Sequence, residues 1–293
     1  MIGVRHPAAT GPGVQPVGSL ALGLGCVGVA AQICYPLVDG VARDVVTVAV
    51  VLLLAAACVA HAAATRGTRW AAGLVLVTAG GGLVAEFVGT TTGFPFGNYT
   101  YAPDGPLGPA FGPVPLLIGP AWTFGAYPAW CAARALAGPG RGVATVLIAT
   151  WGLASWDLYL DPQMVADGRW SWTDPGPGLP GVPQIPLSNY AGWLLVALVL
   201  CTALHGLDRA LDLDRALDTP QLRPDHLPLV LFCWTWLGSA LAHAVFLDLP
   251  ASAGYGLAGM GLVGVPVLVR LLLPPASPRP GAADRGLGVR PGS

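Results

Sequence analysis

Eight long apolar stretches decide what this chain can fold into. A helix needs about 20 mostly apolar residues to cross the hydrocarbon of a bilayer, and each stretch is close to that length. Charged residues make up only 10% of the chain, whereas a soluble domain carries about a quarter. The pattern predicts an all-α, polytopic integral membrane bundle of about eight transmembrane helices. The stretches are 17–38, 45–64, 70–92, 114–137, 143–160, 187–206, 227–248 and 252–273.

The first stretch is rich in glycine, so a bundle of seven helices is the alternative. This stretch has no convincing small-residue cleavage site, which favours a retained helix over a signal peptide. We predict an N-terminal tail (1–16), a transmembrane helical domain (17–273) and a C-terminal tail rich in Pro, Gly and Arg that is disordered (274–293). The expected location is the cell membrane, which the chain crosses several times.

The distribution of arginine predicts the orientation, because cytoplasmic loops carry the positive excess. All arginines except Arg43 and Arg169 fall in the two tails, in the loops on the same side of an eight-helix bundle, or at the ends of the apolar stretches on that side. Both termini are therefore predicted to be cytoplasmic. The net charge of -1 gives no basic surface for nucleic acid, which excludes that class of partner.

Two long loops on the predicted outer side are dense in Gly, Pro and aromatic residues. Loops of this length are commonly lids or binding elements. Tyr99, Trp170 and Trp172 also suit the aromatic belt at the level of the lipid headgroups, and the sequence leaves both interpretations open. A cytoplasmic loop carries the tandem repeat LDRALD (207–218), which we interpret as a solvated helical turn.

Ionisable residues inside predicted helices mark function, because their burial is costly. At about 1.5 Å of rise per residue, Glu86, Asp157 and His243 all approach the outer leaflet. Asp157 and Asp161 are four residues apart and project from one face of their helix. Glu86 is the single glutamate of the chain and follows three glycines (80–82), a pattern that indicates close helix approach around a polar pocket.

Two of these residues have a second interpretation. Asp161 precedes Pro162, and a residue before proline is disfavoured in a helix, so Asp161 can equally cap or end the helix. His243 can equally be a hydrogen-bonded packing residue.

Four motifs that follow in order along the chain resemble the carotenoid biosynthesis membrane protein family, which includes carotenoid hydratases of the bisanhydrobacterioruberin and gamma-carotene 1'-hydratase type. The resemblance implies an integral membrane hydratase that adds water to the terminal C=C of an acyclic carotenoid end within the bilayer, with other carotenoid-tailoring enzymes as partners and no cofactor or metal. The motifs are AEFVGTTTGFPFGNYTY (85–101), LGPAFGPVPLLIGPAW (107–122), ASWDLYLDPQMV with WSW (154–172) and GVPQIPLSNYAGW (181–193).

That reaction needs an acid, a stabilised cation and a positioned water. Asp157 is predicted as the general acid, Glu86 as its proton-sharing partner or the base that activates water, and Asp161 as the second carboxylate. Aromatic faces stabilise a nearby cation by about 0.5–2 kcal/mol each, and asparagine side chains orient water. The predicted substrate-binding residues are Tyr99, Tyr101, Trp122, Trp151, Trp156, Asn98, Asn189 and His243.

Three other functions remain open. A cyclase or isomerase acting on the same carotenoid end would share the protonation step. A magnesium-dependent prenyltransferase would use the two aspartates of DLYLD (157–161), but the sequence has no second aspartate-rich motif and no outer-loop cluster of basic residues to hold a diphosphate. A carrier of lipids or carotenoids is the non-enzymatic alternative, although the two halves show no convincing repeat.

Overall fold

The structure is a computed structural model that describes residues 16–103, 107–211 and 225–273. The predicted N-terminal tail up to residue 15, the predicted disordered C-terminal tail and the tandem repeat beyond Leu211 lie outside the described residues.

Eight long helical segments form the bundle in these described ranges, which confirms the predicted all-α class. Seven of the segments, including the glycine-rich first one, are long and apolar enough to cross a membrane. The segments are α1 (Pro16–Cys34, followed by a 3-10 turn, Tyr35–Leu37), α2 (Gly40–Arg66), α3 and α4 (Thr68–Val75 and Gly81–Thr92, joined by a π-helical turn, Leu76–Gly80), α5 (Ile118–Ala137), α6 (Gly142–Ala166), α7 (Leu187–Ala210), α8 (His226–Val245) and α9 (Pro250–Leu272).

The remaining segment, α5, lies among the other helices. It packs against α2, α6 and α8, and Trp122, Tyr127 and Trp130 along its length are almost completely buried. Because its neighbours are helices rather than lipid, α5 carries small and aromatic side chains in place of a long aliphatic run. This position brings the aromatic residues of α5 into the centre of the bundle.

The π-helical turn before α4 is followed by two glycines that contact neighbouring helices. Such turns shift the helical register and are frequent at functional sites. A Cβ added to Gly82 would lie 2.4 Å from the Trp122 ring, and one added to Gly81 would lie 2.6 Å from Leu200 Cδ2. The predicted close helix approach is therefore confirmed, and it sets Trp122 beside Glu86, one turn further along α4.

Helix α6 continues through Pro162 and ends at Ala166. The prediction that this helix ends at residue 160 is wrong, and so is the interpretation of Asp161 as its cap. Asp161 is 3% exposed and lies inside the helix, where it shares a face with Asp157 one turn earlier.

A side chain of α9 supplies the hydrogen bond that Pro162 cannot donate within α6. Pro162 has no N–H for the carbonyl of Leu158 four residues earlier. Ser252 replaces this missing donor, because its Oγ donates to Leu158 O over 2.6 Å. The Ser252 hydroxyl oxygen also lies 2.9 Å from His243 Nδ1, and His243 Nε2 lies 3.1 Å from Gln163 Oε1. His243 thus belongs to the contacts that hold α6, α8 and α9 together.

Short antiparallel strand pairs organise the two long loops. Strand β1 (Tyr99–Tyr101) of one loop pairs with β4 (Trp170–Trp172) of the other, with Tyr99 opposite Trp172 and Tyr101 opposite Trp170. Tyr99, Trp170 and Trp172 are buried, which favours the lid interpretation over anchors in the headgroup belt. We call the end of the bundle that carries this pair the hairpin end. The strands are β1 (Tyr99–Tyr101), β2 (Ala110–Phe111), β3 (Val114–Pro115), β4 (Trp170–Trp172), β5 (Gly178–Leu179) and β6 (Val182–Pro186).

Candidate active site

Glu86 lies at the hairpin end with three neutral donors around its carboxyl group. Trp122 Nε1 donates to Oε1 over 3.2 Å, Tyr101 donates its hydroxyl to Oε2 over 2.8 Å, and Tyr99 donates to the same oxygen. Burial raises the pKa of Tyr99 and Tyr101, and the neighbouring Glu86 raises it further. Both hydroxyls therefore keep their protons at neutral pH and remain donors.

Asp157 and Asp161 form a pair, the aspartate dyad, around one amide group. Asn189 Nδ2 donates one hydrogen to Asp157 Oδ2 over 2.8 Å and the other to Asp161 Oδ2. Trp170 Nε1 donates to the remaining oxygen of Asp161 over 2.9 Å. Asp157 is fully buried, and its Oδ1 has no hydrogen-bond partner among the described residues.

The pairing of β1 with β4 connects Glu86 to the dyad. Tyr101 binds Glu86 and Trp170 binds Asp161, and the two rings meet edge to face with centroids 5.5 Å apart. Because Tyr101 and Trp170 are opposite each other in the strand pair, one short sheet positions both the donor to Glu86 and the donor to Asp161. Residues from α4, α6 and two separate loops are thereby fixed in one site.

Aromatic rings form the wall beside these carboxyl groups. Trp122 stacks on Trp193 of α7, with centroids 4.3 Å apart and planes at 18°. Trp156 meets Trp193 edge to face at 6.2 Å, and Phe124 meets Trp156 edge to face at 5.5 Å. Aromatic rings of this kind stabilise a cation that forms over one of their faces.

The site opens into a cavity of about 1020 Å³. Glu86, Asp161 and Asn189 line it at the hairpin end, together with Tyr99, Tyr101 and the tryptophans of the wall. Asp157 does not line the cavity and lies behind Asp161. Most of the remaining lining is aliphatic or aromatic, so a few polar groups converge at one end of an apolar space, as in many small-molecule sites.

Three of the predicted substrate-binding residues lie away from this cavity. Asn98 is exposed in its loop. Trp151 is 42% exposed and donates its indole N–H to Gly259 O over 2.9 Å, so it packs α6 against α9. His243 is completely buried and binds Ser252 and Gln163 rather than facing the cavity. The other predicted residues are brought together with the carboxyl groups.

Trp193 is a lining residue that the sequence interpretation missed. It lies four residues after Asn189 on α7, so the two share a helix face. That spacing is the signal that could have identified it. Trp170 and Trp172 were recognised as loop aromatics, but their contacts depend on the strand pair, which no local pattern predicts.

Comparisons with known proteins point to one family. The model of the family described as "Carotenoid biosynthesis protein" matches residues 47–263. The bisanhydrobacterioruberin hydratase of Haloarcula japonica is 35% identical over 179 residues, which cover 59% of this chain and 57% of that protein. The chain thus spans little more than half the length of this relative. No solved structure matches the chain.

The matched region begins within α2 and ends within α9. It therefore contains both loops, the aspartate dyad, Glu86 and the aromatic wall. On this match, which covers well over half of its residues, the chain belongs to the carotenoid biosynthesis protein family.

Proposed function

We propose that the protein is a carotenoid hydratase of the cell membrane that adds water to the terminal C=C of an acyclic carotenoid end. One observation carries the proposal: two buried acidic groups and an aromatic wall meet at one end of a long apolar cavity. The named activity of the relative supports the same reaction class. The substrate is of the lycopene, gamma-carotene or bisanhydrobacterioruberin type.

The aspartate dyad supplies the proton. We assign the donor role to Asp161, because it lines the cavity while Asp157 lies behind it. Two carboxyl groups around one Asn189 amide act as a single titrating unit, so Asp157 is the partner that shares one proton with Asp161. The sequence prediction gave the donor role to Asp157, and the cavity lining is the reason for the change.

The proton adds to the less substituted alkene carbon, and a tertiary cation forms at the other carbon. The π electrons form the new C–H bond, and the O–H bond of the acid breaks. Trp122, Trp156 and Trp193 face the developing charge, and Glu86, held by three neutral donors, is a fixed negative group nearby. These groups are in place before the reaction, so they stabilise the cation without reorganising.

Water then captures the cation, and its oxygen forms the new C–O bond. Glu86 accepts the proton that this water loses. Return of a proton from Glu86 to the dyad restores the starting state, so the net reaction is alkene plus water to tertiary alcohol. No cofactor takes part in any of these steps.

Expression in a lycopene-producing bacterium, followed by chromatography and mass spectrometry of the pigments, tests the proposal. A hydratase adds the mass of one water for each end that reacts. A product with the mass of lycopene and a changed absorption spectrum would indicate a cyclase or isomerase instead. Unchanged lycopene, with inserted protein verified by immunoblot, would contradict all three activities and favour a carrier.

The magnesium-dependent prenyltransferase is disfavoured by the donor set of the dyad. In such a site a metal ion would lie between the aspartates, which would need oxygen ligands there. Asn189 instead points two N–H hydrogens at the two carboxyl groups. If chelation by EDTA abolishes conversion, this assignment is wrong.

A further inference from the structure

We propose that the part of the cavity away from the carboxyl groups binds the remainder of the polyene and opens sideways to the bilayer between α1 and α8. This inference rests on the proposed function, since it names the subsite for the rest of the same substrate. We call this part the apolar arm. Its lining includes Gln32 and Ile33 of α1, Val230, Cys233 and Trp234 of α8, and Leu271 of α9.

One face of α8 lines the cavity over its whole length. His226, Val230, Trp234, Leu237 and Leu241 follow one another at spacings of three or four residues, and all of them are lining residues. Such spacing keeps side chains on one face of a helix. At about 1.5 Å per residue, the face measures about 30 Å from His226 to Phe246, the lining residue that directly follows the helix. This length is close to the thickness of the hydrocarbon core of a bilayer.

The volume of the cavity suits an elongated apolar molecule. At about 1020 Å³ it lies at the upper end of the range of about 300–1,000 Å³ that is usual for small-molecule sites. Because the lining also follows α8 for about 30 Å, this volume fits an extended hydrocarbon chain better than a compact ligand.

The chemistry of the arm selects a neutral, apolar ligand. Glu86 and Asp161, both at the hairpin end, are the acidic residues of the lining, and no arginine lines the cavity within the described ranges. The arm has one polar contact between helices, where Trp234 Nε1 donates to Gln32 Oε1 over 2.9 Å. These two groups bond to each other, and the part of the arm that the structure describes carries neither an acidic residue nor an arginine.

The arm is open to lipid along α1 and α8. Ile33 and Leu37 on the α1 side are 50% and 63% exposed, and Leu241 and Phe246 on the α8 side are 58% and 51% exposed. All four line the cavity. A polyene dissolved in the bilayer can therefore enter between the two helices, with its reacting end towards the carboxyl groups, without crossing water.

Gly238 provides a way to block the arm. It lines the cavity, and the three atoms nearest to an added Cβ all belong to Trp234 of its own helix, at 3.3 Å or more. The substitution Gly238→Phe therefore projects a ring into the arm. Gly254 of α9 is the matched control, because it is exposed, does not line the cavity and has nothing within 4 Å of an added Cβ.

The test measures lycopene that co-purifies with the protein from a lycopene-producing host, by absorbance per mole of protein. In an Asp161→Asn background, which holds the substrate without converting it, we expect Gly238→Phe to reduce bound lycopene at least about tenfold, equivalent to a tenfold weaker affinity. Gly254→Phe should leave it unchanged. Equal lycopene in the Gly238→Phe and Gly254→Phe proteins would overturn the proposal.

A second measurement needs no substitution in the arm. Cys233 lines the arm, whereas Cys26 lies exposed on α1 outside the cavity. Bound lycopene should slow the reaction of Cys233 with N-ethylmaleimide, followed by peptide mass spectrometry, and leave the reaction of Cys26 unchanged. Equal rates at Cys233 with and without lycopene would contradict the subsite. Protection of Cys233 without hydration by the parent protein would reject the hydratase while the arm remains supported.

Discussion

The acidic residues of the candidate site and those at the opposite end of the bundle are both largely buried, but their partners differ. At the end opposite the hairpins, Arg66 Nη2 lies 2.6 Å from Asp225 Oδ2, and Arg134 forms an ion pair with Asp208. At the hairpin end, no basic residue in the described ranges forms an ion pair with any of the three carboxyl groups of the site. Their partners are tyrosine, tryptophan and asparagine side chains.

This difference in partners distinguishes acidic residues that stabilise the fold from those that we propose to take part in the reaction. An acidic side chain paired with arginine serves as the counter-charge of a buried cation, and losing it destabilises the fold. A carboxyl group among neutral donors in an apolar cavity can gain and lose a proton, which acid catalysis requires.

Removing the proton at the cavity surface should abolish the chemistry. Asp161→Asn keeps the size of the side chain, and we expect it to lower the hydration rate by about 10²–10⁴-fold, the usual contribution of a general acid. Asp157→Asn should have a smaller effect, because Asp157 does not line the cavity. The measurement is initial rate in membranes with lycopene, and Asp174→Asn in the exposed loop is the control. An unchanged rate in Asp161→Asn would contradict the assigned donor.

Breaking an ion pair at the opposite end should affect stability instead. Asp225→Asn leaves the guanidinium of Arg66 buried without its counter-charge, which typically destabilises a protein by about 3–5 kcal/mol. The side chain of Asp225 is 23% exposed, so we expect a value at the lower end. Thermal unfolding in detergent measures it. The hydration rate per folded molecule should not change, and a selective loss of rate would show that this pair also serves the chemistry.

Gly82→Ala should disturb both properties moderately. The new Cβ would lie 2.4 Å from the Trp122 ring, and overpacking of this kind costs about 1–3 kcal/mol. The displaced indole would also lose its hydrogen bond to Glu86. Thermal unfolding and the hydration rate should both decrease, whereas Gly23→Ala, with nothing within 4 Å of its Cβ, should change neither. Parent-like behaviour of Gly82→Ala would mean that the helices separate easily here.

The smallest effect concerns alkaline pH. Burial raises the pKa of Tyr99 and Tyr101 above the ordinary value of 10.0, so above pH 10 the unfolded chain loses protons that the folded chain keeps. Stability should therefore decrease as pH rises, by up to about 1.4 kcal/mol per pH unit for each tyrosine. The double variant Tyr99→Phe with Tyr101→Phe should show a shallower decrease in thermal unfolding between pH 10 and 11. An identical slope would contradict burial of these hydroxyls.

Much of the architecture could be predicted because the bilayer imposes simple rules on length and hydropathy. The helices were found from apolar stretches, and the acidic residues of the site were found because such residues are rare inside them. The relation between Asp157 and Asp161 follows from a spacing of four residues, which is a local property of a helix. The three glycines before Glu86 likewise indicated that another helix packs closely there, but they did not identify that helix.

The remainder depends on contacts between distant parts of the chain. Pro162 is a local signal to end a helix, and it was overridden by Ser252, which is 94 residues from Leu158 in sequence. Tyr101 and Trp170 meet through a strand pair between two loops whose composition favours no strand. That Asn98, Trp151 and His243 do not line the cavity could not be predicted either, because it depends on the direction of each side chain in the folded bundle.

The hydrogen bond from Ser252 to Leu158 has a consequence for biogenesis. Until α9 has been inserted, the carbonyl group of Leu158 lacks this donor, and the turn that carries both aspartates is free to bend at its proline. On the proposed function, the protein would therefore become competent only after α9 has joined the bundle, and a translation product that stops before Pro250 would contain every residue of the candidate site yet fail to align them.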